Sequence, residues 1–181
     1  MAIHSKALQT PHEVNSRAVK SNIIHLFPGA RRQRVARLWE EIEPVMLHVN
    51  TGEGIAEYRA SLKHFTREQR LAHAVLAYLT ETCDGGHHGF FYNSAGILWE
   101  EAMRGLREIG ASENALILSA AALRAGGIPP ERREERRRML VRLSPRFDDL
   151  DAAFQKSDPT VALDEYFKVN RAAFYFTRSP N

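Results

Sequence analysis

Apolar residues recur along this chain three and four positions apart, the spacing that lines up one face of an α-helix. From Ala30 onward, Val35, Leu38, Trp39 and Ile42 mark an amphipathic helix whose other faces carry Arg31, Arg32, Arg34 and Arg37. Pro44 has no N–H for the carbonyl four residues back, so this helix is expected to end or kink near Glu43 before Val45, Met46 and Val49 lead into Thr51-Gly52. A shorter stripe follows in Ile55, Tyr58, Leu62 and Phe65. Thr66 and Gln69 then stand three apart, so that the hydroxyl and the amide can each bond the other's backbone N–H and open a new helix. Its apolar face is Leu71, Ala72, Val75, Leu76 and Leu79, and one more turn puts Cys83 inside or at the edge of the core.

The stretch from Cys83 to Ala111 reads as a helix end, a tight aromatic loop and a second helix. Gly85, Gly86 and Gly89 permit a sharp turn, and Phe90, Phe91 and Tyr92 supply apolar area to pin it. Asn93 and Ser94 offer caps to a helix carrying Leu98, Ala102, Met103, Leu106 and Ile109, stopped by Gly110. Ser112 opens another with Leu116, Ile117, Ala120, Ala121 and Leu123 on its apolar face. There Ala120 to Ala122 leave room for a neighbouring helix, and Gly126-Gly127 end the element.

Pro129-Pro130 favours a fresh start, and Glu131 to Leu143 reads ERREERRRMLVRL, with its apolar positions confined to the last turns. Most of that helix is expected to face water or a partner. Ser144-Pro145 breaks it. Phe147, Leu150 and Phe154 form a short stripe, and Asp158-Pro159 signals a last helix with Val161, Leu163, Tyr166, Phe167 and Val169. At the other end, residues up to Lys20 are polar and read as a loosely attached arm, docked by the apolar cluster Ile23, Ile24, Leu26 and Phe27 before Pro28-Gly29. The expected fold is all-α: an N-terminal arm over 1–29 and one compact multi-helix domain over 30–181.

Composition changes this picture little. Of 181 residues 44% are hydrophobic and 26% charged, as in an ordinary globular domain able to bury a core. Lys and Arg number 25 against 22 Asp and Glu, a net +3 too near neutral to force a nucleic-acid partner. A single cysteine rules out an internal disulfide framework and fits a reducing compartment, so a cytoplasmic location is expected. The first thirty residues lack the apolar core of a signal peptide, and no apolar stretch approaches the roughly 20 residues that span a bilayer.

Candidate chemistry is sparse. His87 and His88 lie beside Asp84 and Cys83, residue types that ligate metals, yet adjacent histidines point apart and a zinc site wants four convergent ligands. The preferred reading is a polar loop tip bonding locally. Cys83 with His87 or His88 as base is disfavoured because the helical period buries the thiol. Glu100 with Glu101, and Glu40 with Glu41 and Glu43, read as solvated helix faces, since neighbours in a helix do not face one another. No phosphate loop, dinucleotide fingerprint, nucleophile elbow, zinc-protease or EF-hand motif occurs, so neither an enzyme nor a cofactor is expected.

The basic run offers more. Arg132, Arg133, Arg136, Arg137 and Arg138 are candidates for gripping a partner, and Asp148, Asp149 and Asp151 for gripping a basic one. Two functions compete. The arginines, with Arg31, Arg32, Arg34 and Arg37 as a second contact, could hold a phosphate backbone. Against this, Glu131, Glu134 and Glu135 neutralise part of the helix, and the acidic stretch from Asp148 to Glu165 could fold back on the arginines. The reading preferred is a module that binds or regulates a protein partner through charged surfaces, with nucleic acid the alternative and no membrane partner. Trp39, Trp99 and Tyr175 leave homo-oligomerisation open.

Gly85-Gly86, Phe90, Phe91, Asn93, Gly96, the Ile109-Gly110-Ala111 helix end and the alanine-rich helix through Ala125 resemble the DNA mimic protein 19-like domain family. A weaker echo lies in Phe147, Leu150, Asp151, Phe154, Tyr166 and Asn170. The resemblance covers roughly the C-terminal two-thirds of the chain. It implies a compact helical domain of unestablished function, in a family named after a member that presents carboxylates as DNA presents phosphates. The net +3 of this chain is of the opposite sign to such a mimic.

Overall fold

A computed structural model describes residues 25–175, and among them every regular element is helical. In chain order these are α1 (Gly29–His48), α2 (Ile55–Ser61), α3 (Arg67–Tyr92), α4 (Trp99–Glu108), α5 (Ser112–Arg124), α6 (Arg133–Leu143), α7 (Asp148–Lys156) and α8 (Thr160–Val169). Short 3-10 turns lie at Leu62–His64, Ser94–Leu98 and Arg171–Phe174. The expected all-α architecture holds. No described helix is long and apolar enough to cross a membrane.

α3 is the central strut. Every residue from Leu71 to Thr80 is buried, because α1, α4, α6 and α7 all pack on it. Thr66 and Gln69 open it as their spacing predicts: Gln69 N–H donates to Thr66 Oγ1 at 3.1 Å, and Thr66 N–H donates to Gln69 Oε1 at 3.0 Å. The Gln69 amide also donates to the Ala173 carbonyl at 2.8 Å, which ties the C-terminal turn onto the start of α3. α4 lies close against α3 because Gly105 has no side chain; a Cβ there would sit 2.5 Å from Val75 Cγ2.

Four expectations need correction. Pro44 does not end α1, which runs on to His48; Val45 continues the stripe of Ile42 and is wholly buried, so core packing outweighs the one lost hydrogen bond. The segment from Cys83 to Tyr92 is not a loop but the last turns of α3, interrupted at Gly86 alone, where φ is +62°. On α5 the core takes Ala115, Ile117, Leu118, Ala121 and Ala122, while Leu116 and Leu123 turn outward. On α8 Leu163 and Phe167 are buried, whereas Val161 and Val169 are exposed. Of the cluster meant to dock the arm, Phe27 is buried and Leu26 packs against the core; Ile23, Ile24 and the arm from Met1 to Lys20 lie outside the described residues.

Candidate functional site

The histidines meet opposite fates at the break in α3. Glycine at 86 supplies the left-handed backbone and leaves space for Asp151 of α7; a Cβ there would lie 2.6 Å from Asp151 Oδ2. Asp151 Oδ1 accepts the His87 backbone N–H at 2.9 Å and the His87 Nδ1–H at 2.5 Å. With that tautomer, His87 Nε2 accepts the Tyr78 hydroxyl proton at 3.0 Å. Phe147 and Phe154 pack around the ring. His87 is 0% exposed, and burial pushes its pKa below the usual histidine value although Asp151 pulls the other way. This Asp–His–Tyr chain is closed to a substrate on the histidine side and works as a clasp between α3 and α7. His88 points elsewhere, exposed and stacked on Tyr92.

Among the described residues no three of His, Cys, Asp and Glu converge as a metal would need. Cys83 is half-buried, and desolvation pushes its thiol up to about 11, against nearby Arg31. The expected polar loop tip is therefore split between a buried clasp and an exposed ring. Glu100 and Glu101 also diverge: Glu100 pairs with Arg104 at 3.3 Å, while Glu101 turns inward beside Tyr58, its carboxyl raised by burial.

The arginine run of α6 is divided in the same way. Arg136 is 0% exposed, which removes it from any outward face. It lies on the side of α6 that carries Met139 and Leu140, three and four residues on, and those two are buried with it. Its guanidinium donates to the carbonyls of Phe91 (3.0 Å), Asn93 (2.9 Å) and Ser94 (3.4 Å) at the end of α3, and to those of Pro130 (2.9 Å) and Glu131 (2.6 Å). A cation among the carbonyls at and just beyond the end of a helix acts as a C-terminal cap, here sharing the Asn93 carbonyl with the Gly96 N–H. Gly96 makes room for it, since a Cβ there would stand 2.7 Å from Arg136 Nε. Burial, and then Arg133 and Arg137, pull the Arg136 pKa down to about 10, still leaving it charged at neutral pH.

Arg133 and Arg137 are partly used in the same place. Each donates to the Tyr92 carbonyl, at 3.3 and 3.2 Å, and the Arg137 guanidinium also lies 4.3 Å from the centre of the Tyr92 ring and pairs with Glu134. Arg132 and Arg138 are the members of the set that stand outward, with Glu135 4.0 Å from Arg132.

The acidic candidates are committed too. Arg124 grips Asp149 with both terminal nitrogens and holds its carboxyl well below the usual range. Asp148 has Arg146 at 3.8 Å, and Asp151 belongs to the clasp. The fold-back of acid on base does occur, but onto α1 rather than α6: Arg31 and Arg34 reach Asp158 at 3.4 and 3.0 Å, and Arg37 reaches Asp164 at 2.6 Å. Arg31, Arg34 and Arg37 thus have carboxylate partners and Arg32 donates to the Phe27 carbonyl, where the alternative nucleic-acid reading needs them for a second phosphate contact.

An open groove of about 850 Å³ lies between residues 51–57 and the first half of α6. Glu53, Glu57, Arg59, Glu131, Arg132 and Arg138 rim it, and Arg59 and Glu131 pair across it at 2.8 Å. Nothing in the pattern of apolar positions singles out this groove, because it depends on the 51–57 turn folding over α6. The burial of Arg136 did leave a signal in the sequence, its helical register with Met139 and Leu140.

No curated protein and no solved structure matched the chain. A family model described as DMP19-like protein matches residues 63–170, from the approach to α3 through to the end of α8. That span is more than half of the chain, which therefore belongs to the DMP19-like protein family.

Proposed function

We propose that this protein is a non-enzymatic interaction module that binds or regulates another protein through the groove beside α6. The observation that carries the reading is the groove itself: about 850 Å³, open, and rimmed by side chains of both signs. Mixed charge of this kind selects a partner of complementary pattern and steers its approach. A nucleic-acid backbone asks instead for a one-sided basic face, and Arg31, Arg34 and Arg37 of α1, which would extend such a face, are paired with Asp158 and Asp164. Mimicry of DNA by a row of carboxylates is not the mechanism proposed, since Asp149 and Asp151 are held by Arg124 and His87.

The test is affinity purification of the full chain from its own cells, with and without nuclease, beside Arg132→Glu and Arg138→Glu variants. Both positions are exposed, so the fold should tolerate the change. A stoichiometric protein partner that survives nuclease and is lost from the variants is the expected result. A partner indifferent to both reversals, or captured material that disappears with nuclease, would overturn the reading.

A further inference from the structure

The charges on the two walls of the groove beside α6 are sorted by sign. On the 51–57 wall Glu53 and Glu57 are exposed, and among the described residues neither carboxylate has a hydrogen bond or an ion pair. On the α6 wall every glutamate is answered by an arginine: Glu131 by Arg59, Glu134 by Arg137 and Glu135 by Arg132. Arg138 is left exposed with no partner among the described residues, and Arg133 bonds only the Tyr92 carbonyl. Unanswered anions thus line one side and unanswered cations the other, with the open space between them. The acidic wall is held in place. Asn50 Oδ1 accepts the Gly52 and Glu53 N–H groups at 3.0 and 3.2 Å, and Thr51 Oγ1 donates to Ser94 Oγ at 3.3 Å at the foot of the groove.

We propose that the groove takes an extended segment of the protein partner in which basic and acidic residues alternate. Its basic side chains turn to Glu53 and Glu57, its acidic ones to Arg133 and Arg138. This rests on the groove reading above and names the partner's chemistry. Successive side chains of an extended chain point to opposite sides, so a strand lying along the groove gives one set to each wall. The Arg59–Glu131 pair spans the groove at 2.8 Å, so there the walls stand within reach of two side chains. A helix, about 10–12 Å across with its side chains, could enter only by parting them. A segment of one sign satisfies one wall and is repelled by the other, and nucleic acid, anionic throughout, fails for the same reason.

Fluorescence anisotropy at low ionic strength tests this with two labelled peptides of equal length and composition. One alternates lysine and glutamate; the other holds its lysines and glutamates in separate blocks, so net charge cannot distinguish them. The full chain should bind the alternating peptide about tenfold or more tighter than the block peptide. Glu53→Lys and Arg138→Glu, both at exposed positions, should each weaken that binding about fivefold while helical circular dichroism is unchanged. Equal binding of the two peptides, binding of neither, or loss confined to one wall would overturn the proposal. Affinity purification keeps its failure apart from that of the groove reading. A protein partner lost from Arg132→Glu and Arg138→Glu but retained by Glu53→Lys would leave the groove reading standing and sink the alternating segment alone.

Discussion

Arg136 shows how a charged residue becomes part of a core. Its five carbonyl acceptors come from the end of α3 and the approach to α6, so one planar cation joins two backbone segments nearly forty residues apart in sequence. Replacement by methionine keeps the apolar stem and strands these acceptors away from water. The Arg136→Met variant should lose about 3 kcal/mol of unfolding free energy in a urea titration. Arg136→Lys should recover only part of that loss, since an ammonium cannot reproduce the fork. A loss within about 0.5 kcal/mol, the range of a featureless surface substitution, would show that the guanidinium is not the cap described here.

At the scale of elements, the helical periods were legible wherever one face alone is buried. Val35, Leu38, Trp39 and Ile42 of α1 sit in the core as their spacing requires, and the Thr66–Gln69 box opens α3. The failures share a cause. Local chemistry at Pro44 and at Gly85, Gly86 and Gly89 argued for longer interruptions, while burial of Val45 beyond the proline and of His87, Phe90 and Phe91 beyond the glycines kept the chain helical on either side, with Gly86 alone departing. On α5 nearly every position is apolar, so the period could not tell Leu116 and Leu123 from their inward neighbours.

Two adjacent glycines in α3 give a sharp contrast. Gly85 is helical with nothing within 4 Å of an added Cβ, so Gly85→Ala should stabilise by about 0.5–1 kcal/mol. Gly86 holds a left-handed φ and abuts Asp151, so Gly86→Ala should destabilise by about 1–3 kcal/mol. Thermal melts of the two variants should move in opposite directions, and parallel shifts would contradict the clasp geometry.

For the whole molecule, sequence told of opposite charge in the two halves but not of which runs would meet. The acidic stretch could have faced the α6 arginines that precede it; it pairs with α1, more than a hundred residues earlier, because α8 packs on α1. The groove was illegible for the same reason, being made by elements distant in sequence.

Stability at acid pH follows from burial across the fold. His73 is enclosed, and desolvation pulls its pKa from 6.5 to about 4. The folded state thus holds this ring neutral while the unfolded chain protonates it. Its contribution is complete above 6.5 and drains away as pH falls toward 4. His87 is displaced in the same direction. Between pH 7 and pH 5 the wild type should lose about 2 kcal/mol more than His73→Leu, judged by urea midpoints at the two pH values. Equal losses would place the titration elsewhere.

Three hydrogen-bonded ties that secure α3 come from chain downstream of it. Ala173 fastens its start, Asp151 its break and Arg136 its end. A ribosome makes the rod first and its fastenings last, so a nascent chain stalled short of residue 136 carries a central helix with none of the three in place. Productive folding must therefore wait until the chain has been made as far as Ala173, and termination between residues 136 and 173 leaves the rod incompletely fastened and open to proteolysis.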